Sequence, residues 1–131
     1  MNPTVSVIVR TVRRPQRLRE CLQSLAAQTY RKSELVLVDM SEGSMTSIVR
    51  EMRARLPIVR HLRLRPACSR PVALNRGIES ASGHLITILD DDNLWEPDHL
   101  GNIVSNFKGA DLAYTGAVSY THLTLPTICS V

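Results

Sequence analysis

Three consecutive carboxylates, Asp90, Asp91 and Asp92, directly follow a short apolar run at residues 85–89. The run is rich in β-branched residues and has helix-like patterns on both sides, which is typical of a buried strand in a parallel sheet. Parallel α/β sheets bind ligands just outside the carboxyl ends of their strands. Three acids at such a place repel one another unless a positive charge lies among them. A divalent cation held by oxygen ligands is the natural partner, and it usually carries phosphate oxygens with it.

The rest of the sequence alternates strand-like and helix-like segments. This alternation would place the three carboxylates in a loop at the edge of a sheet. Strands are predicted at residues 5–9, 34–39, 58–64, 85–89 and 111–115, and helices at 15–27, 45–56, 72–82 and 97–107. This order predicts an α/β fold, with a mostly parallel sheet, helices on both faces and right-handed crossovers. The third strand has no clean apolar face, which favours an edge position. Gly83 fits a left-handed cap after the third helix.

Length and composition indicate one ordinary globular domain. The chain has 131 residues, of which 44% are hydrophobic and 21% charged. No apolar run approaches the length of a membrane span, and the N-terminus lacks the pattern of a signal peptide. We therefore expect a cytoplasmic protein, with at most peripheral attachment to the inner face of the membrane. The cysteines, Cys21, Cys68 and Cys129, are odd in number and widely spaced, which favours neither a disulfide framework nor a zinc site.

The net charge of +4 comes from basic residues that are nearly all arginine. They cluster at residues 10–19 and again at residues 50–70. Two interpretations stay open at this point. The clusters are either a solvated surface or a means of attracting an anion such as a sugar nucleotide, a polyanionic acceptor, a lipid phosphate or a nucleic acid.

Four stretches of the chain resemble, in order and spacing, the family-2 glycosyltransferases of the GT-A fold, and together they cover about residues 4–117. The stretches are VSVIVRTVRRP (5–15), SLAAQTY with ELVLVDMSEGS (24–30 and 34–44), RPVALNRGIESASG (70–83) and LDDDNLWEPDHL (89–100). The chain departs from the family pattern at four positions. Arg10 replaces a proline, Val12 an aromatic residue, Met40 a second acid and Leu74 an arginine. The resemblance implies a Rossmann-like GT-A sheet in residues 1–117 that is incomplete at its C-terminal end.

The resemblance also implies a reaction. A sugar would pass from a nucleotide-diphosphate sugar to a saccharide, lipid-linked or other hydroxyl acceptor, usually with inversion, as in cell-wall or polysaccharide biosynthesis. It implies Mn²⁺ or Mg²⁺ as cofactor, because a divalent ion neutralises the charge that builds on the leaving phosphate. No nucleic-acid partner is expected. The general base that acts on the acceptor is expected past the end of this chain, so no catalytic residue is assigned here and the fragment is expected to be inactive alone.

The resemblance carries particular roles to particular positions. The residues implied for binding the nucleotide sugar are Thr11, Arg14, Asp39, Arg70, Asp90 and Asp91, and those implied for the metal are Asp92 and Asp90. Asp39 would accept a hydrogen bond from an N–H of the base, and Thr11 and Arg14 would address the base and the phosphate. Asp92 is expected to be the direct metal ligand.

Each of these residues also has a structural interpretation. The three acids could form a turn and a helix N-cap, since Asp favours both places. Asp39 could be a loop acid, and Arg14 and Arg70 could be surface arginines. Trp95 is expected to be a packing residue more than a platform for a sugar. Asn75 and Gly77 are expected to close a helix against a strand.

Three other functional classes fit parts of the sequence. A nucleotidyltransferase-type relative usually has a loop with Gly and Lys after its first strand, and this chain has TVRRP there. A phosphatase with an Asp-x-Asp nucleophile usually carries it after the first strand, whereas here the acids follow the fourth. A basic binding module for nucleic acid or anionic surfaces would use the arginine clusters, but the chain has five aromatic residues and no evident stacking platform.

The last part of the chain differs in character. Residues 118–127, VSYTHLTLPT, resemble the translation of a transposon adapter used in sequencing libraries. We therefore expect residues 118–131 to be a non-native tail and the gene to be cut within the domain. The alternative is a genuine short strand and loop.

Overall fold

The computed structural model describes residues 3–12, 15–41, 45–65 and 69–107. Its strands are β1 (Val5–Thr11), β2 (Ser33–Asp39), β3 (Ile58–Arg63) and β4 (Leu85–Ile88), and its helices are α1 (Pro15–Ala26), α2 (Thr46–Arg53), α3 (Arg70–Ser80) and α4 (His99–Phe107). Arg14, the predicted strand at residues 111–115 and the predicted tail at 118–131 lie outside the described residues.

The four strands form one parallel sheet in the order β3-β2-β1-β4. β1 and β2 lie in the middle and are buried along nearly their whole length, as their almost continuous apolar sequences require. β2 and β3 lie on one side of β1, and the chain then crosses over so that β4 lies on the other side of β1. The strand order therefore reverses between β1 and β4, and open α/β sheets bind their ligands at such a point.

Helices cover both faces of the sheet, and alternate residues of β1 contribute to two separate cores. Val5, Val7 and Val9 pack with the buried residues of α1 and α2 and with the start of α4. Ile8 faces the other way and packs with α3. A Cβ atom on Gly77 of α3 would lie 2.6 Å from Cγ2 of Ile8, so this helix can lie against the sheet only with a glycine there. The predicted structural role of Gly77 is thereby confirmed.

The predicted α/β architecture is confirmed, and β3 lies at an edge of the sheet as expected. The prediction that β4 is a buried strand is wrong for the described part of the chain. There β4 pairs with β1 alone, and its Ile86 is 44% exposed. An apolar sequence makes a strand suitable for burial, but neighbouring elements decide whether it is buried.

The predicted left-handed cap at Gly83 is also wrong. α3 ends at Ser80, Ala81 follows in an extended conformation, and the φ angle of Gly83 lies outside the left-handed region. Gly83 is instead required by a close approach between chain segments. A Cβ atom there would lie 2.7 Å from the carbonyl oxygen of Thr4 and 2.9 Å from the backbone nitrogen of Ser6.

Helix bounds differ from the predictions by a few residues at their ends. α3 begins at Arg70 because the Ser69 hydroxyl accepts a hydrogen bond from the N–H of Val72 at 3.4 Å and so caps the helix. Pro71 is accommodated in the first turn, where its missing N–H would have no helical partner. Within the described residues, every helix is too short or too polar to span a membrane.

Candidate functional site

The carboxyl ends of β1, β2 and β4 meet at one edge of the sheet. The register of β1 and β2 pairs Thr11 with Asp39, the last residues of both strands. On the other side of β1, the N–H of Leu89 donates to the carbonyl oxygen of Ile8 at 2.9 Å. The chain leaves β4 there and continues into Asp90. The acidic loop and Asp39 therefore flank the end of β1, at the point where the strand order reverses.

The acidic loop, residues 90–92, is a turn whose three carboxylates differ in exposure. The N–H of Asn93 donates to the carbonyl oxygen of Asp90 at 3.1 Å and closes the turn. Asp90 is half-buried, Asp91 is buried and Asp92 is exposed. Of the three side chains, Asp92 is thus the most accessible to a ligand from solvent.

The buried thiol of Cys21 on α1 lies against this loop, and the charge of the loop affects the pKa of the thiol. Its Sγ donates to the carbonyl oxygen of Asp90 at 3.4 Å. Burial, together with the smaller effects of the negative charges of Asp91, Asp90 and Asp92, in that order, raises the pKa of Cys21 to about 12. All three carboxylates are therefore close enough to Cys21 for their negative charges to act on its thiol.

The segment that follows the acidic loop is clamped by Ser24 of α1 and by Gln28, which lies just past the end of that helix. The amide nitrogen of Gln28 donates to the carbonyl oxygen of Glu96 at 2.6 Å, and its amide oxygen accepts from the N–H of Leu100 at 2.9 Å. The hydroxyl of Ser24 accepts from the N–H of Trp95 at 3.2 Å. Gln28 is buried, so these bonds are shielded from water. These hydrogen bonds hold the segment after the acidic loop in place and thereby limit how the loop can move.

Sequence reasoning missed this role of Gln28 and treated the residue only as part of the helix end. The amide is joined to partners 68 and 72 residues away. A polar residue at the end of an amphipathic helix gives little local signal of such a contact.

The acid on the other side of β1, Asp39, is completely buried and held by two donors. The N–H of Ser41 donates to its Oδ1 at 2.8 Å, and Nε2 of His61 lies 2.9 Å from its Oδ2. Beside it, the hydroxyl of Thr11 is buried and has no hydrogen-bond partner among the described residues. A buried hydroxyl without a partner is uncommon and needs an explanation.

Of the remaining predicted residues, Arg14 lies outside the described part of the chain. Arg70 is exposed at the first turn of α3. Trp95 packs against the main core and stacks on His99 at 4.4 Å between ring centroids, which supports the packing interpretation. Burial lowers the pKa of His99, and the neighbouring charge of Asp98 partly offsets that effect.

An open surface cavity of about 280 Å³ lies beside the acidic loop and is lined by Arg17, Glu20, Asp92 and Leu94. Arg17 and Glu20 belong to the first turns of α1 and were not singled out in the sequence. The cavity shows that space for a small ligand exists next to the most exposed of the three carboxylates.

The donor set of the loop fits a hard divalent cation, because it consists of carboxylate oxygens. Among the described residues, no group of three or more His, Cys, Asp or Glu side chains is arranged to hold an ion by itself.

Comparison with known proteins shows a relation that covers the described fold. The sequence matches the model of a family described as glycosyltransferase-like family 2 over residues 3–131, a span that includes residues 118–131. The uncharacterized glycosyltransferase YwdF of Bacillus subtilis is 28% identical over 113 residues, which are 86% of this chain and 41% of that protein.

Two solved structures are similar in fold. A mannosyltransferase of Pyrobaculum calidifontis, in complex with GDP-Man and Mn²⁺, has a TM-score of 0.75 and 30% identity over 84% of this chain and 34% of its own. TarS of S. aureus in complex with UDP-GlcNAc has a TM-score of 0.67 and 25% identity over 80% of this chain and 31% of its own. The chain spans well under half the length of each of these relatives. Because the family model matches nearly all of it, the chain belongs to the glycosyltransferase-like family 2 and has the GT-A fold.

Proposed function

We propose that this chain is the nucleotide-sugar-binding part of an enzyme that transfers a sugar from a nucleotide-diphosphate sugar to an acceptor hydroxyl. The proposed reaction depends on a divalent metal ion and inverts the anomeric carbon. One observation carries the proposal. The acidic loop and Asp39 flank the end of β1 at the reversal of the strand order, where open α/β sheets bind nucleotides.

We assign the metal to the acidic loop. Asp92 is the proposed direct ligand because it is the exposed member of the three, and Asp90 shares that role. Mn²⁺ or Mg²⁺, when bound, supplies Lewis-acid stabilisation of the charge on the departing diphosphate. Asp90 and Asp91 also contact the nucleotide sugar in this proposal.

The nucleotide is assigned to the neighbouring strand ends. Asp39 accepts from an N–H of the base, and the unpartnered hydroxyl of Thr11 supplies a further polar contact. Arg14 and Arg70 are proposed to address the phosphates, since guanidinium groups bind phosphate strongly. The clamp that Gln28 forms keeps the acidic loop in place while the ligand binds.

Ligands of the related structures support a nucleotide-sugar donor without choosing its base. The mannosyltransferase was solved with GDP-Man and Mn²⁺, and TarS with UDP-GlcNAc. A saccharide, lipid-linked or other hydroxyl acceptor is proposed for this protein. The general base for that acceptor is placed outside the chain, which spans 41% of YwdF. The chain alone is then expected to bind the donor without turning it over.

Calorimetric titration of the 131-residue chain with UDP and with GDP, each with and without Mn²⁺, tests the donor site. We expect binding that Mn²⁺ strengthens, and Asp92→Asn should remove the part that depends on the metal. Glu96→Gln is the matched control, because Glu96 is exposed on the segment that follows the acidic loop and only its backbone carbonyl is hydrogen-bonded to Gln28. The donor site is refuted if neither nucleotide binds with Mn²⁺, or if the control loses as much affinity as Asp92→Asn.

A second assay tests the proposed absence of turnover. The chain is incubated with Mn²⁺ and radiolabelled nucleotide sugars together with simple saccharide acceptors. Sustained transfer of label to the acceptor would show that the general base lies within this chain.

A further inference from the structure

His61 lies on the edge strand β3 and contacts a residue of the neighbouring strand. Its register partner on β2 is Leu37, so the two side chains share one face of the sheet. Asp39 follows two residues after Leu37 and therefore lies on that face too. Thr11, the register partner of Asp39, also faces this side. Thr11 and Asp39 thus lie side by side at the ends of β1 and β2, and His61 lies on the same face of β3, two residues before the end of that strand.

The bond between His61 and Asp39 fixes the hydrogen on one ring nitrogen. An ionised carboxylate only accepts hydrogen bonds, so Nε2 of His61, which lies 2.9 Å from Oδ2, must carry the hydrogen. This is true of both the neutral and the protonated ring. The other oxygen, Oδ1, accepts from the N–H of Ser41, so both oxygens are oriented by fixed donors.

Two donors leave part of the acceptor capacity of Asp39 unused. A carboxylate offers about four lone-pair sites, and the described residues fill one site on each oxygen. A carboxylate that is free to rotate would have to be ordered when a ligand N–H binds, and that ordering weakens binding. One that is already held by Ser41 and His61 avoids this cost.

We propose that His61 is a positioning residue for nucleotide recognition. It holds the Asp39 carboxylate so that the remaining lone pairs meet an N–H of the base. The inference rests on the proposed function, because it assumes that Asp39 binds the base. It adds a positioning residue on the edge strand β3 to the proposed nucleotide site.

Binding of three probes to His61→Leu tests the proposal. UDP and GDP carry a base, whereas inorganic pyrophosphate with Mn²⁺ engages only the metal and phosphate part of the site. We expect His61→Leu to weaken UDP or GDP binding about tenfold and to leave the pyrophosphate affinity unchanged. His61→Gln, whose amide can donate to Asp39, should restore nucleotide affinity.

His84→Leu is the matched control. His84 is exposed at the opposite, amino end of the sheet, where its Nδ1 accepts from the N–H of Thr4 at 3.4 Å. An equal loss of nucleotide and pyrophosphate binding in a folded His61→Leu, or no loss of either, would overturn the proposal, as would failure of His61→Gln to restore binding. If the unsubstituted chain binds none of the probes, the proposed function itself fails, which is a different result.

NMR of the unsubstituted chain decides the question even if His61→Leu does not fold. The imidazole resonances of His61, assigned by comparison with His61→Gln, should show Nε2 protonated. UDP or GDP with Mg²⁺ should shift them, and pyrophosphate with Mg²⁺ should not. Equal shifts with all probes, or none with the nucleotides, would contradict the proposal.

Discussion

Glu34 and Asp39 lie near opposite ends of β2, and they differ in the number of hydrogen bonds that they accept. Both Glu34 and Asp39 have no exposed surface. Glu34 receives hydrogen bonds from the Ser6 hydroxyl at 2.5 Å, from Nε of Arg60 at 2.6 Å and from the N–H of Ser82 at 2.7 Å. The Ser82 hydroxyl adds a fourth donor at 3.0 Å. Among the described residues, Asp39 has two donors.

The number of donors indicates that Glu34 is a structural acid, whereas Asp39 can still accept a hydrogen bond from a ligand. Burial alone would raise the pKa of Glu34, but the hydrogen bonds from Ser6, Arg60 and Ser82 outweigh it and lower the pKa to about 2. Glu34 therefore joins three strands and the segment after α3 at the amino end of the sheet. Among the described residues, the carboxyl end has lone pairs on Asp39 that accept no hydrogen bond, a hydroxyl on Thr11 without a partner, and a group of three acids.

Removing Glu34 should mainly lower stability and removing Asp39 should mainly weaken nucleotide binding, and this difference is the largest effect we expect. Glu34→Ala should lower the free energy of unfolding by about 3 kcal/mol, because it leaves the donors of Ser6, Arg60 and Ser82 without their acceptor. Asp39→Asn should lower it by about 1 kcal/mol and weaken UDP or GDP binding about tenfold. Urea unfolding and calorimetry measure the two quantities.

Glu79→Ala, at an exposed position on α3, is the control for the loss of an acid. The comparison fails if Glu34→Ala destabilises the chain no more than Glu79→Ala does. It also fails if Glu34→Gln, once shown to be folded, weakens nucleotide binding as much as Asp39→Asn.

A smaller effect should follow from crowding the amino end of the sheet. Gly83 donates its N–H to the Ser6 hydroxyl at 2.8 Å, and a Cβ atom there would lie 2.6 Å from the same oxygen. Gly83→Ala should therefore disturb the donors of Glu34 and destabilise the fold by about 2 kcal/mol. Gly101→Ala is the control, because nothing lies within 4 Å of a Cβ atom at that place on α4.

Thermal unfolding of both variants checks this expectation. Gly101→Ala should be neutral or stabilising by up to about 1 kcal/mol, since alanine favours a helix over glycine. Equal transition temperatures for the two variants would show that the amino end tolerates the added methyl group.

The sequence predicts the carboxyl end of the sheet better than the amino end for a physical reason. Asp39 and Asp90 each directly follow an apolar run, and parallel strands bring their ends to one edge. These are local signals combined with one rule of topology. The metal and nucleotide roles that the resemblance attached to these positions stay predictions.

Contacts that depend on long-range register could not be predicted in the same way. Glu34 meets partners 26, 28 and 48 residues away, and His61 meets Asp39 across 22 residues. One signal was present for Glu34. A charged residue inside an otherwise apolar central strand must find partners, because an isolated buried charge is very costly. No comparable signal marked His61, which lies on a strand with mixed faces.

The smallest effects we expect are responses to pH, and they should separate the two ends of the sheet. Burial lowers the pKa of His99, which stacks on Trp95 after the acidic loop. The folded state therefore disfavours the protonated ring. Stability from this group is present above the ordinary value of 6.5 and is lost as the pH falls through the lowered pKa. Glu34, with a pKa near 2, contributes above its ordinary value of 4.5 and loses that contribution only as the pH falls toward 2.

Trp95 is the single tryptophan of the chain, so its fluorescence reports on the carboxyl end of the sheet alone. Lowering the pH from 7 to 5 should change that fluorescence while the urea midpoint moves little, and His99→Gln should remove the change. Between pH 4.5 and 2, the stability difference between the unsubstituted chain and Glu34→Gln should shrink toward zero, because protonation of Glu34 has the same effect as the substitution. If the fluorescence change between pH 7 and 5 persists in His99→Gln, a group other than His99 causes that change.

If the stability difference for Glu34→Gln stays constant down to pH 2, the hydrogen bonds to Glu34 do not depend on its charge. Glu34 and Asp39 would then differ only in their number of donors.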